Sequence, residues 1–110
     1  MSIQKSKNLK VQTYCPIDSV DAVRQAIGNA GAGIIGNYSH CSFVTPGHGY
    51  FLPMEGSNPT IGETGKAEKV SEMKIEFVCT EELLEKVCTA IKDAHPYEEV
   101  PIEIFQMYSY

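Results

Sequence analysis

VQTYCPIDSVDAVRQAIGNA (residues 11–30) and IEFVCTEELLEKVCTAIKDA (residues 75–94) are two copies of one pattern, and this pair decides the fold. They align without a gap, so that Cys15 matches Cys79 and Ile27 matches Ile91. The match is closest at apolar positions, which are the positions that a packed core constrains. The sequence therefore predicts a duplicated unit.

Within each copy the spacing of apolar residues changes from two to about 3.6, as it does where a strand passes into a helix. Strands are predicted at residues 9–15 and 73–79. Each helix that follows has one apolar stripe, formed by Val20, Val23, Ile27 and Ala30 in the first copy and by Leu84, Val87, Ile91 and Ala94 in the second.

Polar and helix-breaking residues bound both helices. Asp18 or Ser19 is expected to cap the first helix, and Thr80 the second. Glycines from Gly31 onward should end the first helix, and Pro96 the second.

Each copy then returns to an extended segment. The first is predicted at residues 38–44, where the turn at 46–49 leads into a short strand at 50–52. The second is predicted at residues 101–108. This order predicts one α+β domain over residues 1–110, a ferredoxin-like split βαβ sandwich whose antiparallel sheet carries two helices on one face.

Charge and hydropathy exclude some functions. The formal net charge of the 110 residues is −5, and no run of basic residues offers a surface for a nucleic acid. No apolar run is long enough to span a membrane, and the polar N-terminus lacks the core of a secretory signal. A cytoplasmic protein with no nucleic-acid or membrane partner is expected.

The four cysteines show no metal-site spacing. Cys15, Cys41, Cys79 and Cys88 form no C-x-x-C pair. We expect reduced thiols that behave mainly as small apolar side chains, as in cytosolic proteins.

GNYSHCSF (residues 36–43) is the most unusual local string. If it were a strand, Tyr38, His40 and Ser42 would share one face. On such a face, His40 could bind a metal, accept a proton, form a hydrogen bond with a neighbouring side chain or lie at a subunit contact. Cys41 would point to the opposite face, which argues against a Cys–His catalytic pair.

HPYEEVP (residues 95–101) has two interpretations. An imidazole followed by two carboxylates offers ligand types that divalent metals accept. The same string can also be a helix stop followed by a proline-flanked entry into an edge strand.

Residues 54–70 form a long segment without a clear period, and such segments are usually functional or disordered. Its glycines, together with those at 31, 33 and 36, could bring backbone N–H groups to an anion, but they match no nucleotide-binding motif.

Four strings in order resemble one known family. They are GNYSHCSF (36–43), GHGYFLP (47–53), EGSNPTIGETG (55–65) and HPYEEVP (95–101). Together they resemble the YqfO-type domain of the Nif-three-like proteins, which are also labelled type 2 GTP cyclohydrolase I, over residues 10–108. In longer members this domain is inserted between two halves of a domain with a dinuclear metal site. These 110 residues contain no counterpart of those halves, so the activity of that site is not carried over.

The resemblance implies a fold like that of the CutA and PII proteins, which form trimers and bind ions or small effectors at subunit clefts. We therefore expect a non-catalytic, homotrimeric binding or regulatory module with an unidentified cofactor, a divalent metal ion being one candidate. The expected ligand contacts are Asn37, Ser39, His40, Gly62, Tyr97 and Glu99, and the expected metal ligands are His40, His95 and Glu98.

Two alternatives stay open. One is a metal-dependent hydrolase acting on a small phosphorylated or nucleotide substrate, with Cys41 as a possible further ligand. The other is a purely structural oligomerisation domain, in which both strings would serve packing and turn formation.

Overall fold

In the computed structural model, which describes residues 1–110, four antiparallel strands carry two helices on one face. The elements are β1 (Gln4–Pro16), α1 (Val20–Asn29), β2 (Phe43–Phe51), β3 (Glu68–Thr80), α2 (Leu84–Ala94) and β4 (Ile102–Ser109). The strand order is β2-β3-β1-β4. This is the ferredoxin-like α+β fold that the duplication predicts.

The core forms where the two copies meet. Strands β1 and β3 pair at the centre of the sheet, with Leu9 opposite Cys79 and Cys15 opposite Met73. Alternate side chains of these strands pack against the apolar stripes of both helices. The fully buried members include Val11, Cys15, Val23, Ile75, Val87 and Ile91.

The predicted helix caps are wrong. Ser19 and Thr80 make no capping side-chain hydrogen bond, because a 3-10 turn precedes each helix at Ile17–Ser19 and Glu81–Leu83. The tight turn runs directly into the helix and takes the place of a side-chain cap. The helix ends are as expected, with Gly31 at φ 103° and His95 extended before Pro96.

Strand β2 differs from its prediction. Residues 36–42 lie outside any strand, and Phe43–Phe51 forms one continuous strand through the predicted turn. Pro46 pairs with Met73, and Gly49 pairs with Val70. Proline, which has no N–H to donate, is found in edge strands such as β2 rather than in central ones.

The sheet is longer than its helical layer. Strands β1 and β3 have 13 residues each, and the molecule measures 53 × 25 × 24 Å. Beyond Pro16, β2 and β3 continue as a two-stranded ribbon in which Phe51 pairs with Glu68. Residues 52–67 connect the ends of this ribbon. Neither helix has the length and apolar character needed to cross a lipid bilayer.

The buried thiol of Cys15 predicts a loss of stability at alkaline pH. Burial, followed by the nearby Glu72 and Asp18 carboxylates, raises its pKa from 9.0 to about 11. The unfolded chain ionises first, so stability should fall as the pH rises from about 9 to about 11, by roughly 2–3 kcal/mol for this group. Urea unfolding across this range should show a shallower decline for Cys15→Ala than for the wild type. Parallel curves would contradict burial of the thiol.

Candidate functional site

A cleft of about 500 Å³ lies between the end of β2 with its following loop and the segment joining α2 to β4. This volume is within the range of small-molecule sites. The walls of this cavity, the cleft, include Gly49, Tyr50, Phe51, Leu52, Thr60, Ile61, Glu72, Tyr97, Glu98, Glu99 and Val100.

Hydrogen bonds fold the 52–67 loop over the cleft. The backbone N–H of Asn58 donates to Glu98 Oε2 (3.0 Å), and Thr60 Oγ1 donates to the carbonyl of Pro96 (2.6 Å). Within the loop, the N–H of Gly65 donates to the carbonyl of Pro53 (2.8 Å). The long segment is therefore tied to the HPYEEVP string, which lies about 40 residues further along the chain.

Tyr97 and Glu72 form a polar pair within the cleft. Tyr97 Oη donates to Glu72 Oε2 at 2.6 Å. Burial, and then this hydrogen bond, raises the pKa of Tyr97, so the phenol stays protonated and remains the donor. Gly49 leaves room for the Glu72 carboxylate, because a Cβ added at this position would collide with Glu72 Oε1.

His95 is buried and holds the segment after α2 against β1. Its Nε2 donates to the carbonyl of Tyr14 (2.6 Å), and its Nδ1 accepts from the backbone N–H of Tyr97 (3.1 Å). Both ring nitrogens therefore have partners within the chain, and neither has a lone pair free for a metal. This geometry favours the helix-stop interpretation of HPYEEVP.

His40 docks the GNYSHCSF loop on the end of α1. Its Nε2 is 3.0 Å from Asn29 Oδ1, and its Nδ1 is 2.9 Å from Ser39 Oγ. The ring lies against Gly28, where any Cβ would overlap it. Gly28 therefore makes room for the docked ring.

The predicted strand face of Tyr38, His40 and Ser42 is wrong, because these residues lie in a loop and His40 has φ 60°. The loop turns through an isolated bridge between Ile35 and Tyr38 instead. The thiol of Cys41 is directed at the carbonyl of Ser39 (3.8 Å), and the ring nitrogens of His40 bond other groups. The side chains of Cys41 and His40 are therefore not hydrogen-bonded to each other. The reason is the conformation of the loop and not, as predicted, opposite faces of a strand.

The structure divides the expected site residues into two groups. Tyr97, Glu98 and Glu99 line the cleft, and Gly62 lies in the loop beside it, against Glu68. The others, Asn37, Ser39 and His40, belong to the loop at the end of α1.

The expected metal ligands do not meet within one chain. His40, His95 and Glu98 each have different partners. No three His, Cys, Asp or Glu side chains lie close enough together to hold a metal ion. The residues of a single chain therefore do not fit the expected metal site.

Sequence reasoning missed the walls of the cleft that β2 and β3 supply, namely Tyr50, Phe51, Leu52 and Glu72. Gly49 to Leu52 lie in one of the four family-like strings, which was the only sequence signal for them. Nothing in the sequence around Glu72 marks it as a neighbour of Tyr97, because the two are 25 residues apart.

Comparison with solved structures defines the class of protein. The CutA protein of Archaeoglobus fulgidus matches 91% of this chain and 83% of its own length, with a TM-score of 0.67 and 16% identity. CutA of Synechococcus elongatus gives a TM-score of 0.68 at 16% identity, covering 98% of this chain and 85% of its own. The domain therefore has the CutA-like fold.

Closer relatives narrow the class to a family. The GTP cyclohydrolase 1 type 2 homologs of Halalkalibacterium halodurans and Bacillus subtilis are 46% and 45% identical over 98 and 96 residues, covering 89% and 87% of this chain and 26% of each relative. A Bacillus cereus protein related to NIF3 has a TM-score of 0.80 and 39% identity, over 97% of this chain and 27% of its own. No family model matches.

The chain belongs to this NIF3-related family of GTP cyclohydrolase 1 type 2 homologs. It spans about a quarter of the length of the curated relatives it matches.

Proposed function

We propose that this domain is a binding module without catalytic activity of its own, which holds a small effector in the cleft and assembles as a homotrimer. The observation that carries the proposal is the cleft itself. Its walls come from three separate parts of the chain, and hydrogen bonds from Asn58, Thr60 and Tyr97 hold them together. A cavity built in this way is preorganised, which lowers the entropic cost of binding.

Three of the four thiols are unsuited to act as catalytic nucleophiles. Burial is the largest cause that raises the pKa of Cys15, Cys79 and Cys88. These thiols stay protonated at neutral pH and are poor nucleophiles. The activity named for the relatives refers to proteins about four times as long as the shared segment.

The sheet supports self-assembly. The face opposite the helices has no covering layer, and Phe43 and Phe105 on the edge strands are 68% and 48% exposed. The outer edges of β2 and β4 have no neighbouring strand, and such edges favour pairing with another copy. The proposed number of subunits, three, comes from the resemblance to the CutA and PII proteins. Because Gly49, Tyr50 and Phe51 line the cleft from β2, a copy paired there would lie beside it.

A small effector fits the cleft better than a single divalent ion does. Within one chain, His95 has no free ring nitrogen, and no three carboxylates lie close enough together to hold a metal ion. A metal-bound form would need ligands from more than one subunit.

Native mass spectrometry tests the assembly and the binding together. We expect a trimer that gains the mass of a small molecule after incubation with the low-molecular-weight fraction of a cell extract. Leu52→Trp should fill the cleft and weaken this binding by about tenfold or more without changing the trimer. Met54→Trp is the matched control, because Met54 is also exposed but does not line the cleft.

Each part of the proposal can fail separately. A monomer would overturn the trimer, and a trimer to which nothing binds would overturn the effector cleft. A gain equal to one divalent ion, removed by chelation, would replace the effector with a metal.

A further inference from the structure

The charged groups in the cleft all have the same sign. Glu72, Glu98 and Glu99 are among its fifteen lining residues, and no Lys, Arg or His is. None of the three carboxylates forms a salt bridge. A cavity that presents unneutralised carboxylates attracts cations and repels anions.

Glu72 is the carboxylate that the structure positions most firmly. It is half-buried, and its Oε2 accepts the hydrogen bond from Tyr97. Its Oε1 has no hydrogen-bond partner and faces the gap left by the missing side chain of Gly49. One oxygen is thus held in place while the other can accept a hydrogen bond from a ligand.

The remaining walls are largely apolar or aromatic. The apolar walls include Phe51, Leu52, Ile61 and Val100, and the exposed Tyr50 lies at the β2 side. Aromatic faces attract cations, and apolar walls favour a ligand with a hydrocarbon body.

Two lysines lie near the cleft without lining it. Lys74 lines a second, smaller cavity that also includes Glu72, but it forms no salt bridge with that carboxylate. Lys69 Nζ is 5.8 Å from the centroid of the Tyr50 ring, but Lys69 is not a lining residue and is paired with none of the three carboxylates. Neither lysine forms a salt bridge with Glu72, Glu98 or Glu99, so the carboxylates inside the cleft stay unpaired.

We propose that the cleft selects a small organic cation, in which an ammonium or guanidinium group donates to Glu72 and an aromatic or aliphatic body lies along the apolar walls. This inference rests on the proposed function and names the ligand class of the same site. Phosphorylated and nucleotide ligands do not fit, because they would meet three carboxylates with no cation to balance their charge.

Probes of similar shape and different charge test the inference. Calorimetry and ligand-observed NMR would compare 2-phenylethylamine (cationic), 2-phenylethanol (neutral), 3-phenylpropanoate (anionic) and GTP. We expect the amine to bind about tenfold or more tightly than the alcohol, with the two anions weaker still, because a hydrogen bond between charged groups is stronger than one between neutral groups.

Glu72→Gln should weaken binding of the amine much more than binding of the alcohol, and so remove the preference for the amine. The glutamine keeps an oxygen that can accept from Tyr97, so the walls should stay in place. Glu76→Gln is the matched control, since Glu76 is a half-buried carboxylate on the same strand that pairs with Lys10 outside the cleft. If Glu72→Gln fails to fold, the exposed Glu99→Gln takes its place, with a smaller loss of preference.

The outcomes separate this inference from the proposed function. Equal binding of the alcohol and the amine, or tighter binding of 3-phenylpropanoate or GTP, would overturn the cationic class and leave an effector cleft in place. Equal loss of preference in Glu72→Gln and Glu76→Gln would also overturn it, since bulk charge would then explain the effect. If none of the four probes binds to the cleft, the cationic class is overturned, and the extract experiment decides the cleft itself.

Discussion

Replacing Gly33 by alanine is expected to lower the free energy of unfolding by about 2–5 kcal/mol. Gly33 is buried with φ 77°, and its peptide links β3 to the GNYSHCSF loop through an N–H donated to Val78 and a carbonyl that accepts from Cys41. An added Cβ would lie 2.5 Å from the backbone carbonyl oxygen of Cys41. Two backbone segments must move apart to relieve this clash, and no side-chain rotation can do so.

Gly36→Ala is the matched control for this prediction. Gly36 also has a positive φ, 57°, but no heavy atom lies within 4 Å of its added Cβ. Its cost should be about 1 kcal/mol, from backbone conformation alone. Urea unfolding of both variants measures the difference. Equal costs would show that the loop does not pack on Gly33 in solution.

The second large effect is expected for His95→Ala, which should destabilise the fold by about 2–4 kcal/mol. The change leaves the carbonyl of Tyr14 without its donor and opens a cavity under the segment that leads to β4. His48→Ala should cost less than about 0.5 kcal/mol, because His48 is exposed and makes no side-chain hydrogen bond. Thermal and urea unfolding give both values.

A chelator separates this structural role from a metal-binding one. If His95 acts through Tyr14 and Tyr97, EDTA should leave the stability of the wild type unchanged. His95→Gln should recover part of the loss, because its amide can donate to the same carbonyl. Destabilisation of the wild type by EDTA as large as that of His95→Ala would make His95 a metal ligand after all.

Local patterns predicted the central part of the fold well. The change of apolar period in residues 11–30 and 75–94 places both helices and the two central strands, since each copy buries its own stripe. The limits of the strands were less accurate. The structure begins β1 at Gln4 and β3 at Glu68, where polar residues pair in ribbons outside the core. Backbone hydrogen bonds between neighbouring strands hold such segments in place, although their sequence shows no pattern of apolar residues.

Strand β2 and the two histidines show where local patterns fail. Pro46-Gly47-His48-Gly49 has the composition of a turn, yet pairing with β3 keeps it extended along the edge of the sheet. The partner of His95 is a backbone carbonyl 81 residues away, and the partner of His40 is on the preceding helix. Side-chain type alone does not distinguish a histidine that anchors a segment from one that binds a metal.

The sequence by itself determined the duplicated architecture and the apolar stripes of the helices, because both depend on the spacing of residues close together in the chain. It also determined the relation to the NIF3-related family, because each of the four family-like strings is a continuous stretch of sequence. Tertiary structure alone decided which residues form the cleft. Glu72, Tyr97 and the 52–61 loop meet only after β3 has paired and α2 has packed on the sheet. The tertiary structure also decided the negative charge of the cleft, because it places three glutamates there and none of the nine Lys and Arg residues of the chain.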